Sequence, residues 1–322
     1  MRRRTLPLLT VSLLGASRAL PQAPAWTPSR PVRIVVPFSA GGPTDLIARL
    51  VAGPAEAAWR QPVVVENRPG AGGSTGSALV ARAAPDGHTL LVTANSHAIN
   101  PAVLRNLPFD TLRDFAAVIR LADGPFVLVV PPSVPVRALP EFVAHAKARA
   151  GRLNYASPGH GTGNHLAMER LKAAAGIEIA HIPYGGAAPA TQALLAGQVD
   201  AMFNNMVNTV PHAAEGRMVP LAIGSRERSR ALPGVPSLTE TYPDLTAMNW
   251  YGAFAPAGTP APALAALNAT LAAAMAEPAV RDRLLAQGIE PVAGSAEAFG
   301  REVAEEVALW AEVVRAAGIR VE

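Results

Sequence analysis

Residues 32–50 read VRIVVPFSAGGPTDLIARL. Val32, Ile34, Val35 and Val36 form a β-branched run suited to a buried strand, and Pro37 closes it. Gly41 and Gly42 turn the chain. Pro43, Thr44 and Asp45 then open an amphipathic segment in which Leu46, Ile47 and Leu50 recur at helical spacing. A strand, a glycine turn and a helix start in that order aim free backbone N–H groups, and the positive end of a helix dipole, at one small volume. Such a volume suits an anion, and a carboxylate fits it without Arg or Lys. Gly53-Pro54 interrupts the pattern: an interior proline costs about 3 kcal/mol, which predicts a kink or split after Ala52.

The same alternation continues outward. Strand candidates are Val63 to Val65, Thr89 to Thr93, Phe126 to Val130, Leu153 to Ala156, Ile179 to Ile182, Val219 to Ile223 and Tyr251 to Ala255. Helices punctuated by glycine run from Leu139 to Ala150 and from Asn164 to Ala175. The last third reads as helical: Thr259-Pro260 starts one helix, with Leu264, Leu267, Leu271 and Met275 on one face. Ser295 starts another, with Phe299, Val303, Val307, Trp310 and Val314 on its stripe. This pattern predicts an α/β fold with mostly parallel sheets. At 322 residues two lobes are expected. Pro131-Pro132 and the Asn249 to Pro256 segment mark the crossings, giving a discontinuous first lobe (26–125 plus 250–322) and an inserted second lobe (126–249). A cleft between lobes with a hinge at the crossings follows.

The second lobe repeats the logic of the first. A strand at Leu153 to Ala156 leads into the glycine-rich loop Ser157 to Gly163 and then a helix beginning at Asn164-His165. Ile179 to Tyr184 leads likewise into Gly185-Gly186-Ala187. Glycine allows the backbone to approach a ligand closely, and Ser157 and Thr162 add hydroxyl donors.

The N-terminus, MRRRTLPLLTVSLLGASRALPQAPAW, places three arginines before an apolar run too short to span a bilayer, as an export signal does. Residues 1–25 are expected to be removed, by the Sec or the twin-arginine route. They contain Arg2, Arg3, Arg4 and Arg18 and no acid. The 28 basic residues of the full chain less these four leave 24, equal to the 24 acidic ones. A remainder with no net charge suggests neither a nucleic-acid surface nor a polybasic membrane patch. The chain has no Cys, which removes disulfides, thiolate nucleophiles, Cys-ligated metals and a lipid anchor on cysteine.

Pro37, Phe38, Gly41, Gly42, Thr44, Asp45, Ala48 and Arg49 match PFxxGGxTDxxAR. At these residues the chain resembles the periplasmic solute-binding proteins of tripartite tricarboxylate transporters, the Bug family. LNYASxGxGTxxHLAxE (Leu153 to Glu169), HxPYxGxAPAxxxLLxGQVDxMF (His181 to Phe203), VVENRPGAGG (Val64 to Gly73), APDGHTLL (Ala84 to Leu91), INPAV (Ile99 to Val103) and PAGTP (Pro256 to Pro260) extend the resemblance over nearly all of the chain beyond the leader. It implies a type II periplasmic binding-protein fold: two lobes, a hinge and an interlobe cleft. It also implies a non-enzymatic, exported, monomeric receptor that captures a small carboxylate-bearing solute for membrane permease subunits, with no cofactor and no nucleic-acid partner. By the same resemblance the ligand meets Phe38, Ser39, Ala40, Gly42, Thr44, Asp45, Ser96, Ser157, Gly159, Thr162, His165, Gly186, Ala187 and Asn204. Helix capping is the competing role for Thr44 and Asp45, and first-turn packing for His165. Two positions depart from the family pattern. Gly185 stands where Lys is expected and Asn204 where Asp is, which favours a ligand without an ammonium group.

Rival readings are few. Gly72-Gly73-Ser74-Thr75-Gly76 matches G-x-S-x-G, so a serine hydrolase using Ser74 is one alternative, although no strand leads directly into that serine. A ligand-sensing receptor for a sensor kinase is the other. The seven histidines read as scattered, and His160 and His165 miss the i, i+4 spacing of a helical metal pair, so no metal is expected.

Overall fold

The computed structural model describes residues 26–316, so the expected leader lies outside the described residues. The first half runs β1 (Val32–Val36), α1 (Pro43–Trp59), β2 (Val63–Asn67), α2 (Ser74–Ala81), β3 (Thr89–Ala94) and α3 (Ser96–Val103). β4 (Phe115–Val130) then leads to α4 (Leu139–Ala148), β5 (Asn154–Ser157), α5 (Gly163–Ala175), β6 (Ala180–Pro183), α6 (Ala187–Leu195), β7 (Ala201–Asn205), α7 (Met206–Ala214) and β8 (Val219–Ile223). β9 (Met248–Pro256) precedes α8 (Ala261–Ala276), α9 (Pro278–Ala286), the short β10 (Glu290–Pro291) and α10 (Ala296–Ala316).

Two sheets result, and β4 belongs to both. Its first part, Phe115 to Pro125, pairs with β9 in the order β2-β1-β3-β9-β4. Its end, Phe126 to Val130, pairs with β7 and β8 in a second sheet continued by β5 and β6. The β1–β2, β1–β3, β5–β6 and β5–β7 pairs are parallel. Every pair made by β4, and the β3–β9 pair, is antiparallel. The sheets are therefore mixed rather than mostly parallel. The cause is the connection itself: the chain leaves the first sheet along β4 and re-enters it along β9 in the opposite direction. The β4–β9 ladder carries two register shifts, after Ala117 and after Arg120, of the kind that bend a strand and increase its local twist.

The decisive opening segment folds as its pattern dictates. Ile34, Val35 and Val36 are fully buried in β1, and Ile47, Ala48, Val51 and Ala55 form the inner stripe of α1 against it. Each large aliphatic side chain buried this way contributes roughly 1.5–3 kcal/mol. The helix does not split after Ala52: α1 runs unbroken from Pro43 to Trp59 with Pro54 inside it. A proline disfavours helical backbone in the residue before it, partly by meeting that residue's Cβ, and here the residue is Gly53, which has no Cβ and open space around it. Trp59, whose Nε1 donates to Thr270 Oγ1 at 3.0 Å, ties the end of α1 to α8. The late helices carry the expected buried stripes, Leu267, Leu271 and Met275 on α8 and Phe299, Val303 and Val314 on α10. α9 has no counterpart in the sequence reading.

Candidate ligand-binding cleft

A narrow cavity of about 30 Å³ lies where the two sheets meet. Its lining includes Phe38 and Gly42 from the β1–α1 loop, Pro43 and Thr44 from the first turn of α1, and Ala94, Asn95 and Ser96 from the β3–α3 junction. Pro158, Thr162, Gly163 and Asn164 come from the β5–α5 loop, with Ala187, Asn205, Asn249 and Tyr251 completing the wall. No Arg, Lys, Asp or Glu is among these residues.

Five helices begin at this cavity. The starts of α1, α3, α5 and α6, at Pro43, Ser96, Gly163 and Ala187, line it directly, as does Asn205, which precedes α7. The first N–H groups of any helix lack an intrahelical acceptor. At α1, α3, α6 and α7 no side chain caps them. Only α5 is capped by its own sequence, through Thr162 Oγ1 accepting from the His165 N–H at 3.4 Å. Donor groups and positive dipole ends thus converge on a space that carries no fixed charge.

The polar side chains are held by one another. Tyr251 donates its hydroxyl to Asn205 Oδ1 at 3.3 Å, which leaves the Asn205 amide NH₂ to donate elsewhere. Burial pushes the Tyr251 phenol up, so it stays un-ionised and able to donate. Asn249 Oδ1 accepts from the Asn95 N–H at 3.3 Å, and Asn95 Nδ2 donates to the Met248 carbonyl at 3.2 Å. These links run across the β3–β9 pair at the crossing between sheets.

Of the expected contact residues, Phe38, Gly42, Thr44, Ser96, Thr162 and Ala187 line the cavity. The others are placed differently. The Asp45 carboxylate is turned back into its own loop, accepting from the Gly41 N–H at 3.0 Å, from Arg49 Nε at 3.0 and 3.1 Å, and from Asn67 Nδ2 at 3.0 Å. Burial raises its pKa, but those hydrogen bonds and the Arg49 charge outweigh it and hold the carboxyl below the usual range. Asp45 therefore ties down the turn before α1 and caps none of the helix's own first N–H groups. Ser39 donates to the Gly185 carbonyl at 2.9 Å, and a Cβ on Gly186 would press on Ser39, so both belong to the contact between halves. Ala40 is exposed beside them. Ser157 Oγ is engaged by Gly159 and His181. Asn204 is fully buried, its Oδ1 accepting from Thr191 Oγ1 at 3.2 Å and from the Asn205 N–H at 2.9 Å. The side chain that reaches the cavity is its neighbour Asn205; along a strand adjacent residues face opposite sides, and the resemblance pointed to the wrong one.

The glycines have a second task beyond approach to a ligand. A Cβ on Gly72, at φ +61°, would overlap the His160 carbonyl oxygen, and one on Gly161 would lie 2.6 Å from Asn100 Oδ1. The loops of one half rest on the backbone of the other. Between them lies a second cavity of about 260 Å³ lined by Phe38, Gly70 to Gly73, Leu104, Pro158 to His160 and Pro183 to Gly185, which is where Gly159 is found. Phe38 and Pro158 line both cavities.

Ser74 is the first residue of α2, reached through the Gly70 to Gly73 loop rather than from a strand. Asn95, Asn164, Asn205, Asn249 and Tyr251 were missed; a paired signal was present in Asn204-Asn205 and Asn249-Trp250-Tyr251, each at a strand end, where side chains meet a cleft. The histidines need correction too. His160, His165 and His181 each place one ring nitrogen within 4.8 Å of the other two. Spacing along a helix misses this because His160 is on the loop and His181 on β6.

The model of the tripartite tricarboxylate transporter family receptor matches residues 47–319. Protein BugT of Bordetella pertussis is 35% identical over 320 residues, covering 98% of both chains. Among solved structures, an R. palustris protein with adipate superposes with a TM-score of 0.88 at 34% identity, covering 91% of this chain and 99% of its own. MatC from Rhodopseudomonas palustris with bound malate gives 0.86 at 36% identity, covering 89% and 99%. With this fold and this cleft, the chain belongs to the tripartite tricarboxylate transporter receptor family and is a periplasmic solute-binding receptor, not an enzyme.

Proposed function

We propose that this receptor binds a small carboxylate with its charged end at the converging helix starts, and hands it to the permease subunits of a tripartite tricarboxylate transporter. The observation that carries the reading is the pairing of uncapped N-termini of α1, α3, α6 and α7 with a cavity that holds no charged side chain. Neutral donors and helix dipoles favour an anion, and no carboxylate faces the cavity to receive an ammonium group. The relatives with adipate and malate support a dicarboxylate. In this reading one carboxylate sits in the smaller cavity, and the rest of the solute extends past Phe38 and Pro158 toward the larger one.

The lobes divide at 26–125 plus 250–322 and at 126–249, so that the hinge falls where β4 and β9 cross together. The monomeric receptor works in the periplasm after loss of residues 1–25. N-terminal sequencing of the exported protein then begins between Leu20 and Trp26, whereas full-length chain confined to the cytosol contradicts it. Mass spectrometry of the solute retained through gentle purification tests the function itself. A carboxylic acid of low mass is expected; a retained sugar, amide or amine in its place defeats the proposal.

A further inference from the structure

His160, His165 and His181 are held together by elements outside the first turn of α1. Tyr155 on β5 and His181 on β6 are register partners, and their rings stack at 4.8 Å between centroids. His165, in the first turn of α5, stacks on the His181 ring at 4.1 Å, and His160 stands edge-on to both. Aromatic packing alone accounts for a stack. It does not account for the nitrogens.

His160 Nδ1 and His181 Nδ1 are buried and have no hydrogen-bond partner among the described residues. Ser157 Oγ lies 3.0 Å from the Gly159 carbonyl and 2.6 Å from His181 Nε2, so Nε2 is the ring nitrogen already engaged and Nδ1 the one left open. With the ring as donor in that bond, neutral His181 offers Nδ1 as a bare lone pair. Burial, with the neighbouring rings and Lys172 adding to it, holds His181 down to about 2; burial also lowers His165 to about 4. His97 also has unpartnered ring nitrogens, but they face phenylalanine rings, whereas those of His160 and His181 lie within reach of a third imidazole.

We propose that His160, His165 and His181 form a site for a divalent first-row transition ion of the zinc class. Three neutral imidazoles with no thiolate or carboxylate suit zinc, copper(II) or nickel and do not suit calcium or magnesium. Nitrogens about 2.0–2.1 Å from zinc lie roughly 3.3 Å apart, so the rings close inward from their separation of up to 4.8 Å. His160, half-buried and flanked by Gly159 and Gly161 at positive φ, is free to move inward, and the His165 ring must also turn out of its stack on His181 to bring both lone pairs onto one ion. The Ser157 bond to His181 is the outer partner that orients a metal-binding imidazole. Lys172, the nearby cation, is paired to Glu169 at 2.7 Å. Pro158 and Thr162 of the same loop line the cleft, so an ion here pins one wall of the solute site.

The test uses untagged protein freed of metal with a chelator, titrated with Zn²⁺ by calorimetry and with Co²⁺ by visible absorption. One equivalent of each is expected to bind, Co²⁺ with the intense visible bands of a low-coordinate nitrogen site, and Mg²⁺ or Ca²⁺ is expected not to bind. His160→Gln, on the half-buried loop, and His181→Gln each weaken Zn²⁺ at least tenfold, with folding checked by circular dichroism. Absence of stoichiometric Zn²⁺ binding to the parent protein overturns the proposal. So does Zn²⁺ binding of parental strength in the folded His160→Gln protein.

Discussion

His97 makes acid stability a direct test of the packing behind the cleft. Its ring lies within 4.6–5.7 Å of the Phe109, Phe115 and Phe254 rings, centroid to centroid, and neither ring nitrogen has a hydrogen-bond partner among the described residues. Burial lowers its pKa to about 3 in the folded protein, against about 6.5 for an unperturbed histidine. Above pH 6.5 the ring is neutral in both states and contributes no pH dependence. As the pH falls from 6.5 toward 3, only the unfolded chain takes up the proton, so stability falls with it. Between pH 7.5 and pH 5 the loss from this one residue is about 2 kcal/mol, at 1.36 kcal/mol per pH unit. His165 and His181, with lowered pKa values of their own, lose stability in the same direction. The His97→Phe variant isolates the single site. Urea unfolding of parent and variant at pH 7.5 and pH 5 is expected to show the variant losing about 2 kcal/mol less on acidification, whatever its stability at pH 7.5. Equal losses in the two proteins would show that His97 is not held neutral by burial.

Two perturbations separate binding from closure. Asn205→Asp keeps the shape of the side chain but sets a negative charge in the cavity, and is expected to weaken a carboxylate at least tenfold in calorimetry with little change in melting temperature. Gly72→Ala places a methyl group against the His160 carbonyl at a φ of +61°. It is expected to hold the halves apart, so that small-angle scattering shows less compaction on adding solute than the parent shows, and affinity falls at least tenfold.

The opening strand, turn and helix were legible in the sequence because each obeys a local rule, from a β-branched run to glycine at the turn and apolar residues at helical spacing. Six of the residues named for the cleft line it for the same reason: a helix start is readable, and Gly42, Ser96, Thr162 and Ala187 lie at or beside one. What failed depends on long-range geometry. Asp45 was placed by charge and motif, but its partner Asn67 comes from β2, twenty-two residues away. Asn204 and Asn205 differ only in which side of β7 they face, and no local pattern distinguishes two adjacent asparagines. Pro54 was judged by its average cost, whereas Gly53 before it and the buried stripe around it let the helix continue. The antiparallel crossing strands, and the meeting of His160, His165 and His181, follow from topology rather than spacing.

In the proposed function, neutral donors at converging helix starts recognise an ionised carboxylate. Calorimetry across citrate, succinate, malate, adipate, nicotinate and benzoate, each beside its amide or methyl ester, measures this directly. A charge-assisted hydrogen bond contributes roughly 1.5–3 kcal/mol, so the best acid is predicted to bind about tenfold to a hundredfold or more tighter than its neutral derivative. An amide or ester that binds as tightly as the best acid contradicts the account.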